Sequence, residues 1–268
     1  MEHISGWKQT KIYTQKCFRI FRFEKGWKTF ISAAVITFLI CMVTSENMFD
    51  SYTDTRTGVF AIVCACIWIG IFNSIQSICK ERDIIKREYR SGLQLSSYLN
   101  AHFLFEMALC AVESAIVDVI ICIANISNLH PMGVILPFFL ELLISAFLII
   151  YASDALGIMI SSIVKTPNTA MTVMPFVLII QLIMAGMIFK LEGLTEWISY
   201  VTISKWGLCA ICTSADVNSM FLHDSSLTSD YDFTPLHLLE IWIIFIIFIV
   251  IYRVIAQIFL KRVELDKR

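Results

Sequence analysis

The chain has 268 residues, of which 57% are hydrophobic and 16% are charged, with a formal net charge of −1 and a mean hydropathy of +0.74. A water-soluble domain of this size has too little polar surface to cover so many apolar side chains, so the composition excludes an ordinary soluble globule and favours a polytopic membrane protein. The nearly neutral charge excludes a protein that recruits nucleic acid through a global electrostatic field.

The first 28 residues combine bases with aromatic and apolar side chains, and no long apolar run begins before residue 29. This mixture is typical of a basic amphipathic helix in the plane of the lipid headgroups. We therefore expect residues 1–28 to form an interfacial connecting helix on the membrane surface. The alternative is a plain basic flank of the first span.

Six apolar runs are long enough to cross a bilayer, which takes about 20 residues in a helix. They are residues 29–45, 58–79, 98–124, 134–163, 170–189 and 236–260. Each is expected to be a helix, because a spanning segment must satisfy its own backbone hydrogen bonds and none shows the alternation of a barrel strand. The predicted fold class is therefore an all-α polytopic membrane protein, with a permease-sized domain over residues 29–268.

The Lys and Arg residues lie mostly on one side of this topology. Seventeen fall in the N-terminal segment, the second-to-third and fourth-to-fifth loops and the C-terminal tail, whereas the other side holds only Arg56, Lys190 and Lys205. The positive-inside bias predicts that both termini are cytoplasmic. We expect a multi-pass protein of the cell membrane.

No motif in the sequence predicts catalysis. There is no phosphate-binding P-loop, no HExxH and no GxSxG pattern, and the five histidines are not spaced as metal ligands. Cys209 and Cys212 form a CxxC pair without a second half, so a structural role is favoured over a zinc site or a disulfide. We expect no enzymatic activity, metal or cofactor in this chain.

Several ionisable residues fall inside the predicted spans, where a charge is costly and therefore suggests a function or a partner. At 1.5 Å per residue, Glu106 and Arg253 lie at similar depths, and Asp154 lies near the same layer. We predict an intramembrane polar clasp of these three residues, with a proton relay as the alternative. The remaining candidates are Glu113, Asp118, Glu141 and Glu240.

The loop at residues 80–92 holds eight charges and one aromatic residue in thirteen positions, which suits a short helix at the membrane surface that ends at Gly92. Its Glu81-Arg82, the run REYRSG at 87–92, Ser97-Tyr98 and Glu106 together resemble the pattern of ABC exporter permeases of the G-subfamily (ABC-2-type) architecture. The run QLIMAGMIF at 181–189 and the segment WISYVTISKWG at 197–207 are similar to that family's fifth helix and external segment.

This resemblance implies a dimer of six-helix halves, each served by an ATPase domain that binds ATP and magnesium. In such a permease residues 81–92 would be the coupling helix, and residues 191–208 would be a re-entrant external segment. The residues implied to order that helix or contact the ATPase are Glu81, Arg82, Arg87, Glu88, Tyr89, Arg90 and Gly92. Because 28 residues cannot hold an ATPase, we expect it on a separate chain or in a piece that this sequence lacks.

The resemblance also implies a substrate cavity between the second and fifth spans, closed above by a hydrophobic plug at Gly186, Met187 and Ile188. The residues nominated for the cavity are Cys64, Trp68, Phe72, Asn73, Thr172, Phe176 and Gln181. Met187 departs from the branched residue of many relatives and would seal a constriction less rigidly.

The favoured interpretation is the membrane subunit of an ATP-driven exporter of hydrophobic, lipidic or peptide cargo. An ion-coupled secondary transporter, which would use membrane carboxylates such as Glu113 and Asp118, is the alternative, although the sequence shows no internal repeat. A membrane scaffold without transport is the third.

Overall fold

The computed structural model describes residues 5–44, 48–126, 132–220 and 229–262. Within these ranges the protein is helical throughout and has no strand, only an isolated bridge between Met132 and Pro137. The predicted all-α class is confirmed. Ser45, the end of the first predicted span, lies outside the described residues, as do residues 1–4 and 263–268 of the predicted domains.

The chain begins with two helices, α1 (Gly6–Phe23) and α2 (Lys28–Val43), whose axes are bent by 70° at the short connection between them. Lys25 in this connection has φ of 55°. α1 is amphipathic and leaves Trp7 and Phe23 exposed. After its first residues, Lys28 and Thr29, α2 is largely apolar and has no distinct polar face. A helix that is apolar all round suits lipid contact.

Five further helices carry the long apolar stretches. They are α3 (Tyr52–Ser74), which continues almost directly into α4 (Ser77–Arg90), α5 (Leu95–Ala124), α6 (Phe138–Ile163), α7 (Pro167–Met184) and α10 (Pro235–Lys261). In the described residues five stretches are long and apolar enough to cross a membrane, or six if the bent pair of α1 and α2 forms one span. The upper number equals the six predicted spans, but it counts α1 together with α2, whereas the first span was predicted at residues 29–45 alone. By itself α2 has 16 residues, fewer than the about 20 that a span needs.

α7 ends at Met184, five residues before the predicted end of the fifth span. Gly186 adopts φ of 75°, a left-handed conformation that stops a helix and that glycine takes without strain. The chain then forms α8 (Leu194–Ser199) and α9 (Ile203–Ser214), two short helices within and just beyond the segment predicted to be re-entrant. α9 is buried almost entirely against α3, α6 and α10.

The bundle is organised around α6, which packs against α3, α5 and α10. Small residues allow α3 and α6 to approach closely. A Cβ added at Gly70 would collide with the carbonyl oxygen of Ile150 and lie 2.9 Å from the amide nitrogen of Asp154. The Ser74 hydroxyl donates to the main-chain oxygen of Asp154 at 2.8 Å. Close crossing through small residues is how helices gain packing energy in lipid.

Candidate functional site

α4 is amphipathic and follows the apolar part of α3. Its apolar side buries Ile78, Cys79 and Ile85. The amide groups of Ile78 and Cys79, which lie in the first turn and have no partner within the helix, both donate to the Ser161 hydroxyl of α6 at 3.1 Å. α4 therefore starts four residues before the predicted segment 81–92 and is fixed to the end of α6 from its first turn.

A cluster of side chains around Glu81 joins α4 to α1 and α5. The Tyr98 hydroxyl donates to the Glu81 carboxylate at 2.8 Å, the Lys16 ammonium lies 3.6 Å from it and the His102 ring lies 3.9 Å from it. Burial alone would raise the pKa of this carboxyl, but His102, the Tyr98 hydroxyl and the Lys16 charge together lower the pKa of Glu81 to about 2. Glu81 is thus ionised at neutral pH and connects three helices.

The far end of α4 is also fixed by α1. The Tyr13 hydroxyl donates to Glu88 at 2.7 Å. The Gln9 side chain donates to the main-chain oxygen of Gly92 at 3.3 Å and accepts from the amide of Gln94 at 2.9 Å. Gly92 has φ of 100° and follows the last turn of α4, as expected of a glycine that ends a helix.

On the opposite side of α4, Arg82 contacts the carboxyl end of α6. Its guanidinium donates to the main-chain oxygen of Val164 at 2.7 Å and is 3.4 Å from that of Ser162. Carbonyl groups in the last turn of a helix have no partner within it and carry partial negative charge, so an arginine there is favourable. α4 is therefore held between α1 and α5 on one side and the end of α6 on the other.

One face of α4 stays exposed. It carries Lys80, Asp83, Ile84, Arg87 and Arg90, at the spacing of three and four residues that places side chains on one side of a helix. We call these five residues the α4 stripe. Among the sequence-predicted contact residues, Arg87, Arg90 and Gly92 are exposed, whereas Glu81, Arg82, Glu88 and Tyr89 are partly buried.

A cavity of about 370 Å³ lies between α3 and α7. Four of the seven residues nominated for a substrate cavity line it: Cys64, Trp68, Phe72 and Gln181. The other three lie outside its lining: the Asn73 amide donates to Glu113 at 2.7 Å, the Thr172 hydroxyl bonds the main chain of α7, and Phe176 is 64% exposed. The remaining lining is apolar and includes Met171, Met174 and Pro175.

The residues predicted to form a plug follow the end of α7. Gly186 provides the left-handed turn, Met187 packs partly against the core, and Ile188 is half exposed. Just below them, Gln181 bonds the start of α9: the Ser204 amide donates to its side-chain oxygen at 3.1 Å, and the Ser204 hydroxyl donates to its main-chain oxygen at 2.5 Å. This contact fixes the end of α7 to α9.

The predicted clasp has a different pairing. Arg253 donates to the Asn100 side chain and forms no ion pair with Glu106 or Asp154 within the described ranges. Both side-chain oxygens of Asp154 and one of Glu106 are buried without a hydrogen-bond partner. Asn100 lies six residues before Glu106 in α5, so Arg253 meets that helix about 9 Å along its axis from the predicted partner.

Cys209 and Cys212 lie buried in α9 as free thiols. Both belong to the main apolar core. Within the part of the chain that the structure describes, no group of three His, Cys, Asp or Glu side chains could hold a metal ion.

Sequence reasoning missed several residues that hold α4, namely Gln9, Tyr13, Lys16, His102 and Ser161. Tyr13 and Lys16 belong to the basic and aromatic pattern of residues 1–28, which indicates no partner for either. Their partners lie 75 and 65 residues further along the chain, and periodicity carries no information about such distant contacts.

Taken together, the long apolar helices, the amphipathic α1 and the short charged α4 define a helical protein with several helices long and apolar enough to span a membrane. Comparison with known proteins identifies the family within this class. The model of the ABC-2 type transporter family matches residues 8–214, which is more than half of the chain, so the chain belongs to that family and is a membrane permease domain of an ABC transporter.

A relative from Mycobacterium tuberculosis, described as an ABC transporter ATP-binding/permease protein, is 23% identical over 228 residues. The match covers 80% of this chain and 26% of the relative, so the chain spans about a quarter of that protein's length.

Proposed function

We propose that this chain is the membrane half of an ATP-driven exporter, which works as a dimer and receives force through α4. The observation that carries the proposal is the way α4 is held. Its inner side is fixed by Glu81, Glu88 and Arg82 to α1, α5 and α6, and its outer side presents the α4 stripe. A helix built in this way transmits a push on its free face to three other helices at once.

The partner would be an ATPase domain, on this polypeptide or another, that binds ATP and magnesium. The family and the name of the mycobacterial relative, an ATP-binding/permease protein, support such a partner. The α4 stripe offers it three basic side chains, one carboxylate and an apolar Ile84, a composition that suits a specific protein contact with a charged rim. The permease chain itself would carry no catalytic group.

A second permease copy would complete the cavity. α7 buries only 17% of its apolar stretch, and large side chains such as Phe176, Ile179 and Ile180 are exposed beside the cavity between α3 and α7. A second copy on this face would enclose the open side of the cavity. The apolar lining with a single amide, that of Gln181, supports a hydrophobic, lipidic or peptide cargo.

In this mechanism, ATP binding draws two ATPase domains together and moves both α4 helices. ATP shifts the equilibrium only because the closed ATPase pair binds one arrangement of the permease better than the other. The cavity then opens outward past the turn at Gly186. The bias of Lys and Arg supports an orientation in which α1, α4 and both termini lie on the cytoplasmic side of the cell membrane.

The test is co-purification in mild detergent from native membranes, with mass spectrometry and an ATPase assay on the eluate. Arg87→Glu on the α4 stripe is compared with Lys261→Glu, an exposed charge reversal in the last turn of α10. We expect a nucleotide-binding protein or domain whose binding weakens about tenfold in Arg87→Glu and not in Lys261→Glu, as for a charge at a protein contact. If equal ATPase activity copurifies with both variants, α4 is not the helix through which the ATPase is coupled to the permease.

A further inference from the structure

A second concave site adjoins the α3–α7 cavity and shares Trp68 and Phe72 with it. It has a volume of about 270 Å³ and runs between α2 and α3. We call it the α2–α3 groove. One wall is the face of α2 that carries Lys28, Thr29, Ser32, Ala33 and Ile36; the other is formed by Trp68, Ile69, Phe72 and Asn73 of α3.

The two ends of this groove differ in polarity. Lys28 and Thr29 stand at the start of α2, and Ile36 lies eight residues further on, about 12 Å away along the helix axis. Lys28 is exposed and forms no ion pair with any described residue. The groove therefore has a cationic end and an apolar end.

The cationic end lies at the level where headgroups are expected. Trp27 directly precedes Lys28 and is 53% exposed, and tryptophan gathers at the boundary between headgroups and hydrocarbon. Arg22 and Lys25, in and just after the last turn of α1, are also exposed. From that level the groove descends into the apolar layer alongside Trp68 and Phe72, each 49% exposed.

We propose that the α2–α3 groove binds an anionic phospholipid, with the headgroup phosphate at Lys28 and one acyl chain against Trp68 and Phe72. The charge of Lys28 matches an anionic headgroup, and the apolar wall matches the chain. Neither the direction of transport nor the identity of the cargo enters this inference.

The lipid site and the α3–α7 cavity share a wall. Trp68 and Phe72 line both spaces. An acyl chain in the groove restricts the rotamers of these two aromatic side chains and thereby the shape of the cavity. Bound lipid thus becomes a structural element of the wall of the α3–α7 cavity.

The experiment measures contact between Trp68 and lipid. The full chain is placed in nanodiscs that contain phosphatidylglycerol or phosphatidylcholine with brominated acyl chains, which quench tryptophan fluorescence on contact. Subtracting the spectrum of Trp68→Phe isolates Trp68 from the other five tryptophans. Each brominated lipid is titrated into discs of unbrominated phosphatidylcholine. We expect phosphatidylglycerol to quench Trp68 at a mole fraction about fivefold lower than phosphatidylcholine requires. A factor of this size is the effect of one lysine at an anionic surface.

Two variants test the site itself. Lys28→Gln should abolish the preference for phosphatidylglycerol, whereas Lys261→Gln, an exposed lysine in the last turn of α10, should retain it. Ser32→Phe fills the groove from its exposed position on α2 and should reduce quenching by both lipids. Equal quenching by the two lipids, or a preference that survives Lys28→Gln, would overturn the proposal. No quenching by either lipid would overturn it as well, because no acyl chain would then contact Trp68.

Discussion

The hydroxyl of Tyr13 donates a hydrogen bond of 2.7 Å to the carboxylate of Glu88, across 75 residues of sequence. This contact joins the amphipathic helix α1 to the far end of α4. Together with the Glu81 cluster at the near end, it makes α1 and α4 a single mechanical unit. A motion applied to α4 is then passed to the α1–α2 bend as well as to the bundle.

Removing this hydrogen bond tests whether α1 takes part in coupling. Tyr13→Phe keeps the ring and its edge contact with Tyr98, at 5.7 Å between ring centres, and deletes only the donor. We expect the free energy of packing α4 against α1 to weaken by about 1 kcal/mol, since the hydrogen bond is partly exposed. ATP-dependent transport should fall while binding of the ATPase remains, as measured in proteoliposomes. Phe18→Leu, which alters a contact of α1 away from α4, serves as the control.

Glu81 should contribute to stability in a pH-dependent way. Glu81→Gln keeps the shape but removes the charge that faces Lys16 and His102, so we expect a cost of about 1–3 kcal/mol at neutral pH. The folded pKa of about 2 lies below the ordinary glutamate value. The stabilisation is therefore complete above that ordinary value and is lost as the pH falls towards about 2.

The measurement is the thermal midpoint of wild type and Glu81→Gln in detergent between pH 8 and pH 3. The difference in thermal midpoint between the two proteins should be constant from pH 8 to about 5 and should narrow at lower pH. A gap that widens with acid would contradict the ionised state of Glu81.

The close crossing of α3 and α6 should not tolerate a larger residue. Gly70→Ala places a methyl group against the backbone of α6 at Ile150 and Asp154, where neither atom can rotate away. We expect destabilisation of about 1–3 kcal/mol, typical of overpacking. The thermal midpoint and the yield of monodisperse protein report it. Ala61→Val, on the partly exposed side of the same helix, should have little effect.

The unpaired carboxyl of Asp154 is predicted to be dispensable for stability. Its side chain is fully buried and its two oxygens accept no hydrogen bond from the described residues. Replacing a buried, unpartnered carboxyl with a neutral group of the same shape removes a desolvation cost. Asp154→Asn should therefore unfold at the same or a higher temperature than wild type. A lower midpoint would reveal a partner for Asp154 beyond these contacts, such as Arg253 after a rotamer change.

Cys209 and Cys212 should behave as core residues. Both thiols are almost completely buried in α9, so a maleimide should label them only after unfolding, whereas Cys64, which lines the open cavity, should react in the folded protein. Mass spectrometry of the labelled peptides gives the rates. Rapid labelling of Cys212 in folded protein would show that α9 opens.

Much of the architecture followed from composition and pattern. The long apolar runs predicted the fold class, because a bilayer accepts only segments that satisfy their own backbone hydrogen bonds. The charged run at 80–92 predicted a short surface helix, and Gly92 does end it. Gly186 illustrates the limit: the apolar pattern continued to residue 189, but the backbone turned at the glycine.

The sequence by itself therefore determined that this is a helical membrane protein with the motif of an ABC-2 permease, because hydropathy and local motifs are properties of short segments. Only the tertiary structure decided that Arg253 meets Asn100, that Tyr13 meets Glu88, and that Trp68 lines two cavities. These relationships depend on the rotation of each helix about its axis and on close packing at small residues such as Gly70. Both are set by many distant contacts together, which no local pattern in the chain encodes.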